Sequence, residues 1–198
     1  MKIAVCISGL IGYTKKRGEG DLIDFYKTKK YFDKNLFFNN DVDYFIHCWN
    51  TNLQNEIKDL YNPKKYIFEN LLVKNKKFSN NKYGILSNHY GKKEVIKLKK
   101  QFEKEKEFIY DLVILTRFDI LILKKLNLSD LSKNKFYVTG PKYHHNNKCQ
   151  CLFCDQNNIN HCLNDCLFIG SSSDMDKFSK AFDHLDEYGY KSNHIITK

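Results

Sequence analysis

The most apolar run in the chain, YDLVILTRFDILIL at residues 110–123, directly follows an amphipathic segment at residues 92–108. In that segment Val95, Leu98 and Phe102 recur at near-helical spacing against a lysine and glutamate face, which predicts a surface helix. A continuous apolar run predicts a strand that is buried on both faces, as in a parallel sheet covered by helices. Helix followed by buried strand is typical of an α/β domain.

The rest of the chain continues this alternation. Strands are predicted at residues 2–8, 41–50, 64–69, 135–141 and 165–169, and helices at residues 20–37 and 52–60 and after a cap at Ser173 or Asp174. Residues 70–91 show no clear period and are expected to form a long loop with at most one helical turn. We expect one α/β domain over residues 1–198, with three layers and a mostly parallel, mixed central sheet.

The net charge of +10 suggests an anionic partner, but the type of basic residue argues for a simpler cause. Among the 33 basic residues only Arg17 and Arg117 are arginine, and asparagine, isoleucine, tyrosine and phenylalanine are plentiful, which indicates AT-rich codons. A solvated lysine surface is therefore favoured over a nucleic-acid face, because readers of bases and phosphates favour arginine. Arg117 stands within an apolar run although the composition favours lysine, which indicates that this position needs the planar guanidinium.

The N-terminal sequence MKIAVCISGLIGYTKKRG is only superficially like a signal peptide. No small-x-small cleavage site follows it, and the apolar stretch breaks at Gly12. No window approaches the roughly 18 apolar residues of a membrane span. An odd number of cysteines, with Cys6 and Cys48 inside predicted strands, favours a reducing compartment. We expect a cytoplasmic protein without a membrane span.

Two charges stand in the middle of the apolar run. Arg117 and Asp119 are two residues apart, so both would point to one face of a strand. Burying either charge alone is costly, so the two must pair with each other, bind a ligand or metal ion, or emerge at the strand end. Ligands bind at the carboxyl ends of strands in open α/β sheets, which favours a functional site. A private ion pair that ties the sheet to a loop is the alternative.

Four segments in this order resemble one group of proteins: MKIAVCISGLI, DVDYFIHCWN, YDLVILTRFDI and LNDCLFIGSSSDMDKFSKAF. The group is the small glycosyltransferase-like proteins of large DNA viruses and bacterial polysaccharide clusters. The resemblance covers nearly the whole chain. It implies a GT-A-like fold, transfer of a sugar from a nucleoside diphosphate sugar to a glycan or other hydroxyl acceptor, and a role in polysaccharide biosynthesis. A viral member would act in the host cytoplasm.

The resemblance places the sequence TRFD where such proteins have an Asp-x-Asp motif. Asp119 remains as the last acid and is the expected ligand of Mn²⁺ or Mg²⁺, with waters and phosphate oxygens completing the shell. Arg117 replaces the first acid, and it could instead contact the diphosphate directly. Both routes neutralise the leaving diphosphate.

The resemblance also gives a role to the first strand end. Ser8 and Gly9 match a Ser-Gly motif, and Gly9 would let the backbone approach a nucleobase or ribose. Lys15, or its neighbours Lys16 and Arg17, would reach phosphate. The alternative is a strand-ending turn followed by a solvated basic loop.

Three further residues match the group. His47 and Trp49 resemble a His-x-Trp element at the end of the second strand, where they would line the sugar or stack on it. Asp165, just before the last strand, stands where the acceptor-activating carboxylate of inverting enzymes is often found. The alternatives are a tryptophan that belongs to the core and an aspartate that caps a turn.

A cluster of cysteine and histidine is not explained by the resemblance. Its members are His144, His145, Cys149, Cys151, Cys154, His161, Cys162 and Cys166. Thiolate and imidazole ligands at this density could hold a structural Zn²⁺, although the spacing differs from paired C-x-x-C knuckles. Free thiols in an acceptor-side loop are the alternative. Two other functions stay open: a basic nucleic-acid-binding module with a zinc loop, and a catalytically inactive glycosyltransferase-like scaffold.

Overall fold

The computed structural model describes residues 1–11, 22–36, 40–70, 80–139 and 164–184. Six strands form one sheet: β1 Lys2–Gly9, β2 Asp41–Cys48, β3 Lys65–Phe68, β4 Leu112–Thr116, β5 Tyr137–Thr139 and β6 Asn164–Gly170. The α-helices are α1 Phe25–Asn35, α2 Gln54–Tyr61, α3 Asn80–Lys106 and α4 Ser172–Ser179. Short 3-10 turns lie at Thr51–Leu53, Leu128–Asp130 and Lys180–His184.

The strands follow the order β3-β2-β1-β4-β6-β5. The first four strands along the chain are parallel to one another, whereas β6 runs antiparallel to both of its neighbours, β4 and β5. The mostly parallel, mixed sheet predicted from the sequence is therefore confirmed. Because β6 is reversed, its amino end lies at the same edge as the carboxyl ends of the parallel strands. We call this edge the carboxyl edge.

Alternate residues of the strands enter two separate cores. On β1, Ile3 and Ile7 pack in the core under α1 and α2, whereas Ala4 and Cys6 pack in the core under α3 and α4. The long apolar runs follow from this arrangement, because both faces of the central strands are covered. The three-layer arrangement that the alternation predicts is confirmed. Among the described residues, no helix is long and apolar enough to cross a membrane.

The loop predicted for residues 70–91 is wrong in its second half, because α3 begins at Asn80. Over residues 86–91, where the structure describes the side chains, the buried residues are Ser87 and His89, each 8% exposed, and Gly91. An amphipathic helix is normally recognised by apolar residues at helical spacing, and these residues do not provide them. At α4, the cap predicted at Ser173 or Asp174 is also wrong, since Ser171 accepts the hydrogen bond from the Asp174 amide at 3.1 Å.

The strand predicted over residues 110–123 is much shorter in the structure. It ends at Thr116, and residues 117–126, which we call the crossing segment, leave the sheet and pass against α1. The apolar side chains of Phe118 and Ile122 remain buried or half-buried in the core under α1. Helix α1 thus covers the apolar part that the sequence assigned to a strand.

Candidate functional site at the carboxyl edge

The strand registers show which residues meet at the carboxyl edge. Thr116 at the end of β4 pairs with Ile7 of β1 on one side and with Leu167 of β6 on the other. Gly9 at the end of β1 pairs with Cys48 at the end of β2. The crossing segment therefore leaves the sheet between the end of β1 and the beginning of β6. In an open α/β sheet this is where ligands bind.

Gly9 leaves open space at this edge. Its φ angle is +140°, and a Cβ atom built on it would meet nothing within 4 Å among the described residues. The neighbouring backbone is fixed by two bonds: the Trp49 amide donates to the Gly9 carbonyl at 3.2 Å, and the Ile11 amide donates to Asn50 Oδ1 at 2.7 Å. Among the described residues, nothing therefore occupies the side-chain position of Gly9, and hydrogen bonds hold the main chain beside it.

Ser8 is not part of that open surface. It is 3% exposed and lies on the α3 side of β1, where its Cβ is 3.5 Å from the position that a Cβ on Gly91 would take. Strand alternation explains the difference, since neighbouring residues point to opposite faces. Of the Ser-Gly pair, Gly9 therefore borders the open edge and Ser8 packs inside.

Arg117 and Asp119 lie just beyond β4 and form an ion pair with each other. Arg117 Nε donates to Asp119 Oδ1 at 2.9 Å, and Arg117 Nη2 bonds to Asp119 Oδ2. The two side chains are 32% and 33% exposed. Both charges therefore avoid the core by emerging at the strand end, and both carboxylate oxygens contact the guanidinium. A metal ion at Asp119 would have to share or replace that contact.

His47 lies between the sheet and α3, and its side chain is 0% exposed. Its Nε2 lies 2.8 Å from Glu69 Oε1, and its Nδ1 has no hydrogen-bond partner among the residues that the structure describes. Burial lowers the pKa of His47, and the bond to Glu69 only partly opposes this. A neutral imidazole that donates from Nε2 to the Glu69 carboxylate fits these contacts.

Trp49 is also inside the protein. It is 5% exposed, its ring meets the His47 ring edge-to-face at 4.6 Å, and it lies 5.5 Å from the Tyr90 ring. These three rings form a packed cluster against α3. The burial of His47 and Trp49 favours the interpretation that this pair belongs to the core over contact with a bound sugar.

Two edge residues were missed in the sequence, Glu69 and Asn50. Both follow strands whose carboxyl ends lie at the carboxyl edge: Glu69 comes directly after β3, and Asn50 comes two residues after the end of β2. Polar residues at the carboxyl ends of neighbouring parallel strands are the signal that could have found them. Glu69 also acts on Tyr90, whose pKa is raised first by burial and then by the charge of Glu69.

The remaining predicted site residues are described only in part. Asp165 belongs to β6, two residues before the Leu167 that pairs with β4, so its backbone lies at the carboxyl edge. Lys15, Lys16 and Arg17 lie outside the described residues, as does the whole cysteine and histidine cluster except Cys166. Cys166 is half-buried in β6. No group of three or more His, Cys, Asp or Glu side chains that could hold a metal ion occurs in the described part of the chain.

Comparison with known proteins gives no family assignment. No protein-family model matches the chain, and no curated protein matches it. The chemistry of the carboxyl edge thus has to be inferred from its own residues. They are an open glycine backbone at the end of β1, a half-exposed Arg-Asp pair after β4, and the beginning of β6.

Proposed function

We propose that this chain is a glycosyltransferase domain that moves a sugar from a nucleoside diphosphate sugar to a glycan or other hydroxyl acceptor. One observation carries the proposal: the open backbone at Gly9 and the pair of Arg117 and Asp119 lie at the ends of adjacent strands. A nucleoside diphosphate needs both features, a main chain that it can approach closely and a cation for its phosphates. The mixed sheet is compatible with the proposed GT-A-like fold.

Arg117 is the proposed diphosphate ligand. Its guanidinium is about one-third exposed and pairs with Asp119 through Nε and Nη2. A planar guanidinium can grip two phosphate oxygens at once, which an ammonium group cannot do. Sugar transfer leaves negative charge on the diphosphate, so a fixed cation at this position would stabilise the departing group.

Asp119 is the proposed ligand of Mn²⁺ or Mg²⁺. A single carboxylate fits such an ion only when water and phosphate oxygens complete the coordination shell, as is common for Mg²⁺. On binding the metal complex, Asp119 would contact the cation while Arg117 contacts the phosphates. Each charge of the ion pair would then keep a partner of opposite sign, so opening the pair leaves neither charge without a counter-ion.

The other predicted roles complete the proposal. Asp165, at the beginning of β6, would take the proton of the acceptor hydroxyl, and Lys15 would contact phosphate. Ser8, His47 and Trp49 would support the donor site from within the fold. A structural Zn²⁺ held by the cysteine and histidine cluster, and a role in cytoplasmic polysaccharide synthesis, belong to the same proposal.

Calorimetric titration with nucleoside diphosphates, with and without Mn²⁺, tests the proposal. Arg117→Ala should weaken binding by about tenfold or more, the loss expected for a charged hydrogen bond, and Arg117→Lys should weaken it less. Asp119→Asn should remove the dependence on Mn²⁺ because the amide keeps the shape and loses the charge.

Asp111→Asn is the matched control. Asp111 also pairs with a cation, Lys133, but it precedes β4 and therefore lies at the opposite edge of the sheet. Its loss should leave nucleotide affinity unchanged. If Arg117→Ala binds every nucleoside diphosphate as the unaltered protein does, the donor site is not at this edge. If the unaltered protein binds none of them, the proposed function is wrong.

A further inference from the structure

The crossing segment is held by α1 rather than by a strand. After Thr116 no further residue of this segment is paired in the sheet, so its carbonyl groups need other donors. Two buried polar side chains of α1 supply them. Thr28 is 1% exposed and Asn35 is 7% exposed, although both residue types are usually found at the surface.

The contacts between α1 and the crossing segment run in the same order along both. Thr28 Oγ1 donates to the Phe118 carbonyl at 2.6 Å, and Asn35 Nδ2 donates to the Ile122 carbonyl. The Leu126 amide then donates to the Asn35 carbonyl at 2.9 Å. Thr28 and Asn35 are seven residues apart, so they lie on one face of α1 and about 10 Å apart along its axis. The helix thus fixes the segment at both ends.

The first of these contacts lies inside the candidate site. Phe118 stands between Arg117 and Asp119, so the Thr28 bond holds the peptide group that joins Phe118 to Asp119. The Phe118 side chain is 1% exposed, and its ring lies edge-to-face against the Tyr61 ring at 6.0 Å. Tyr61 in turn donates from its hydroxyl to the Phe25 carbonyl of α1 at 3.1 Å. The backbone and the side chain of Phe118 are both anchored to the α1 and α2 layer.

We infer that Thr28 is a positioning residue for the candidate site, and that its hydroxyl sets the geometry of the Arg117 and Asp119 pair through the Phe118 carbonyl. Asn35 fixes the far end of the same segment. The consequence for ligand binding rests on the proposed function, whereas the hold of α1 on the segment does not. The ligand that gains from this positioning is the metal complex of a nucleoside diphosphate, because it must contact both charged side chains at once.

Limited proteolysis can measure how firmly α1 holds the crossing segment, because Arg17 and Arg117 are the only arginines in the sequence. An arginine-specific protease can therefore cut the chain at two places, one of them within the crossing segment. Thr28→Val removes the hydroxyl at constant shape and leaves the Phe118 carbonyl without its donor. Thr28→Ser keeps the hydroxyl and is the matched control.

Thr28→Val should raise the rate of cleavage after Arg117 by about tenfold, as expected when a buried hydrogen bond is lost. Thr28→Ser should be cut at nearly the rate of the unaltered protein. Cleavage after Arg117 at the unaltered rate in Thr28→Val would overturn the inference. So would cleavage in Thr28→Val that rises with urea as steeply as global unfolding does, which reports general destabilisation.

A second measurement tests whether the bond from Thr28 to the crossing segment also affects ligand binding at the site. The affinity of folded Thr28→Val for a nucleoside diphosphate with Mn²⁺ should fall by about three- to tenfold, and Thr28→Ser should restore it. Faster cleavage with unchanged affinity would show that Thr28 only stabilises the fold, and would overturn the positioning role. If the unaltered protein binds no nucleoside diphosphate, the proposed function fails by itself, and with it the positioning role. The cleavage rates then still decide whether α1 holds the segment.

Discussion

Replacing Lys99 with methionine should lower the free energy of unfolding by about 3 kcal/mol, because two carboxylates would lose their buried counter-ion. The Lys99 side chain is 0% exposed on α3. Its Nζ donates to Glu103 Oε2 at 2.9 Å, to Asp176 Oδ1 at 2.8 Å and to the Ser172 hydroxyl, so one ammonium group joins α3 to α4.

The size of this loss in unfolding free energy depends on the partners that the Glu103 and Asp176 carboxylates keep in the variant. Glu103 is 9% exposed and retains the Tyr110 amide at 3.0 Å and the Ser172 hydroxyl at 3.0 Å. Asp176 is 21% exposed and lies 3.5 Å from Lys100 Nζ. These remaining contacts place the loss near the lower end of the range for a broken buried pair, about 3–5 kcal/mol. That loss is a large part of the total stability of a domain.

Urea unfolding followed by far-UV circular dichroism and by the fluorescence of the buried Trp49 measures the change. Lys100→Met is the matched control: its side chain is 66% exposed, so removing its charge should cost less than about 1 kcal/mol. Adding Glu103→Gln to Lys99→Met should recover part of the loss, since one uncompensated charge disappears. A loss below about 1 kcal/mol in Lys99→Met would show that the buried network does not stabilise the packing of α4.

Two further predictions concern the cluster around His47. Burial lowers the pKa of His47 below its usual 6.5, so the unfolded chain binds a proton more readily than the folded protein does. The free energy of unfolding should therefore fall as the pH drops below about 6.5, by at most about 1.4 kcal/mol per pH unit. Urea midpoints from pH 5 to 8 should show this slope, and His47→Asn should reduce it; an equal slope in the variant would contradict the assignment. Gly91→Ala should destabilise the protein by about 1 kcal/mol despite the higher helix propensity of alanine, because the new Cβ would lie 3.0 Å from His47 Nδ1. A gain in the thermal midpoint would refute this, and the loss should shrink in a His47→Asn background.

The central strands could be predicted because their sequence pattern has one dominant cause. β1, β2 and β4 are covered on both faces, so apolar residues occupy nearly every position and the strands are visible without any structure. The cost of burying a lone charge is also a local rule, and it limits Arg117 to pairing with Asp119, binding a ligand or metal ion, or emerging at a strand end. These features depend on a few neighbouring residues, and the sequence displays them directly.

The errors have a different origin. An apolar run shows that a segment is buried but not which backbone it bonds to, so the pattern places residues 117–123 in the sheet although α1 covers them. The prediction places the first half of α3 in a loop because the buried residues described there, Ser87, His89 and Gly91, are polar or small. The burial of His47 and Trp49 depends on the part of α3 that was not recognised, so it could not be predicted from strand β2 alone.

The reversal of β6 has a consequence for how this fold can change in evolution. Thr139 at the end of β5 pairs with Asn164 at the beginning of β6, so the chain leaves the sheet and re-enters it at neighbouring positions on the carboxyl edge. The entropy of closing a loop grows only with the logarithm of its length, about 0.6 kcal/mol for each doubling. Segments of very different length and composition can therefore be inserted between these two residues at little thermodynamic cost and without altering the strand order. The connection between β5 and β6 can diversify while the sheet itself stays constant.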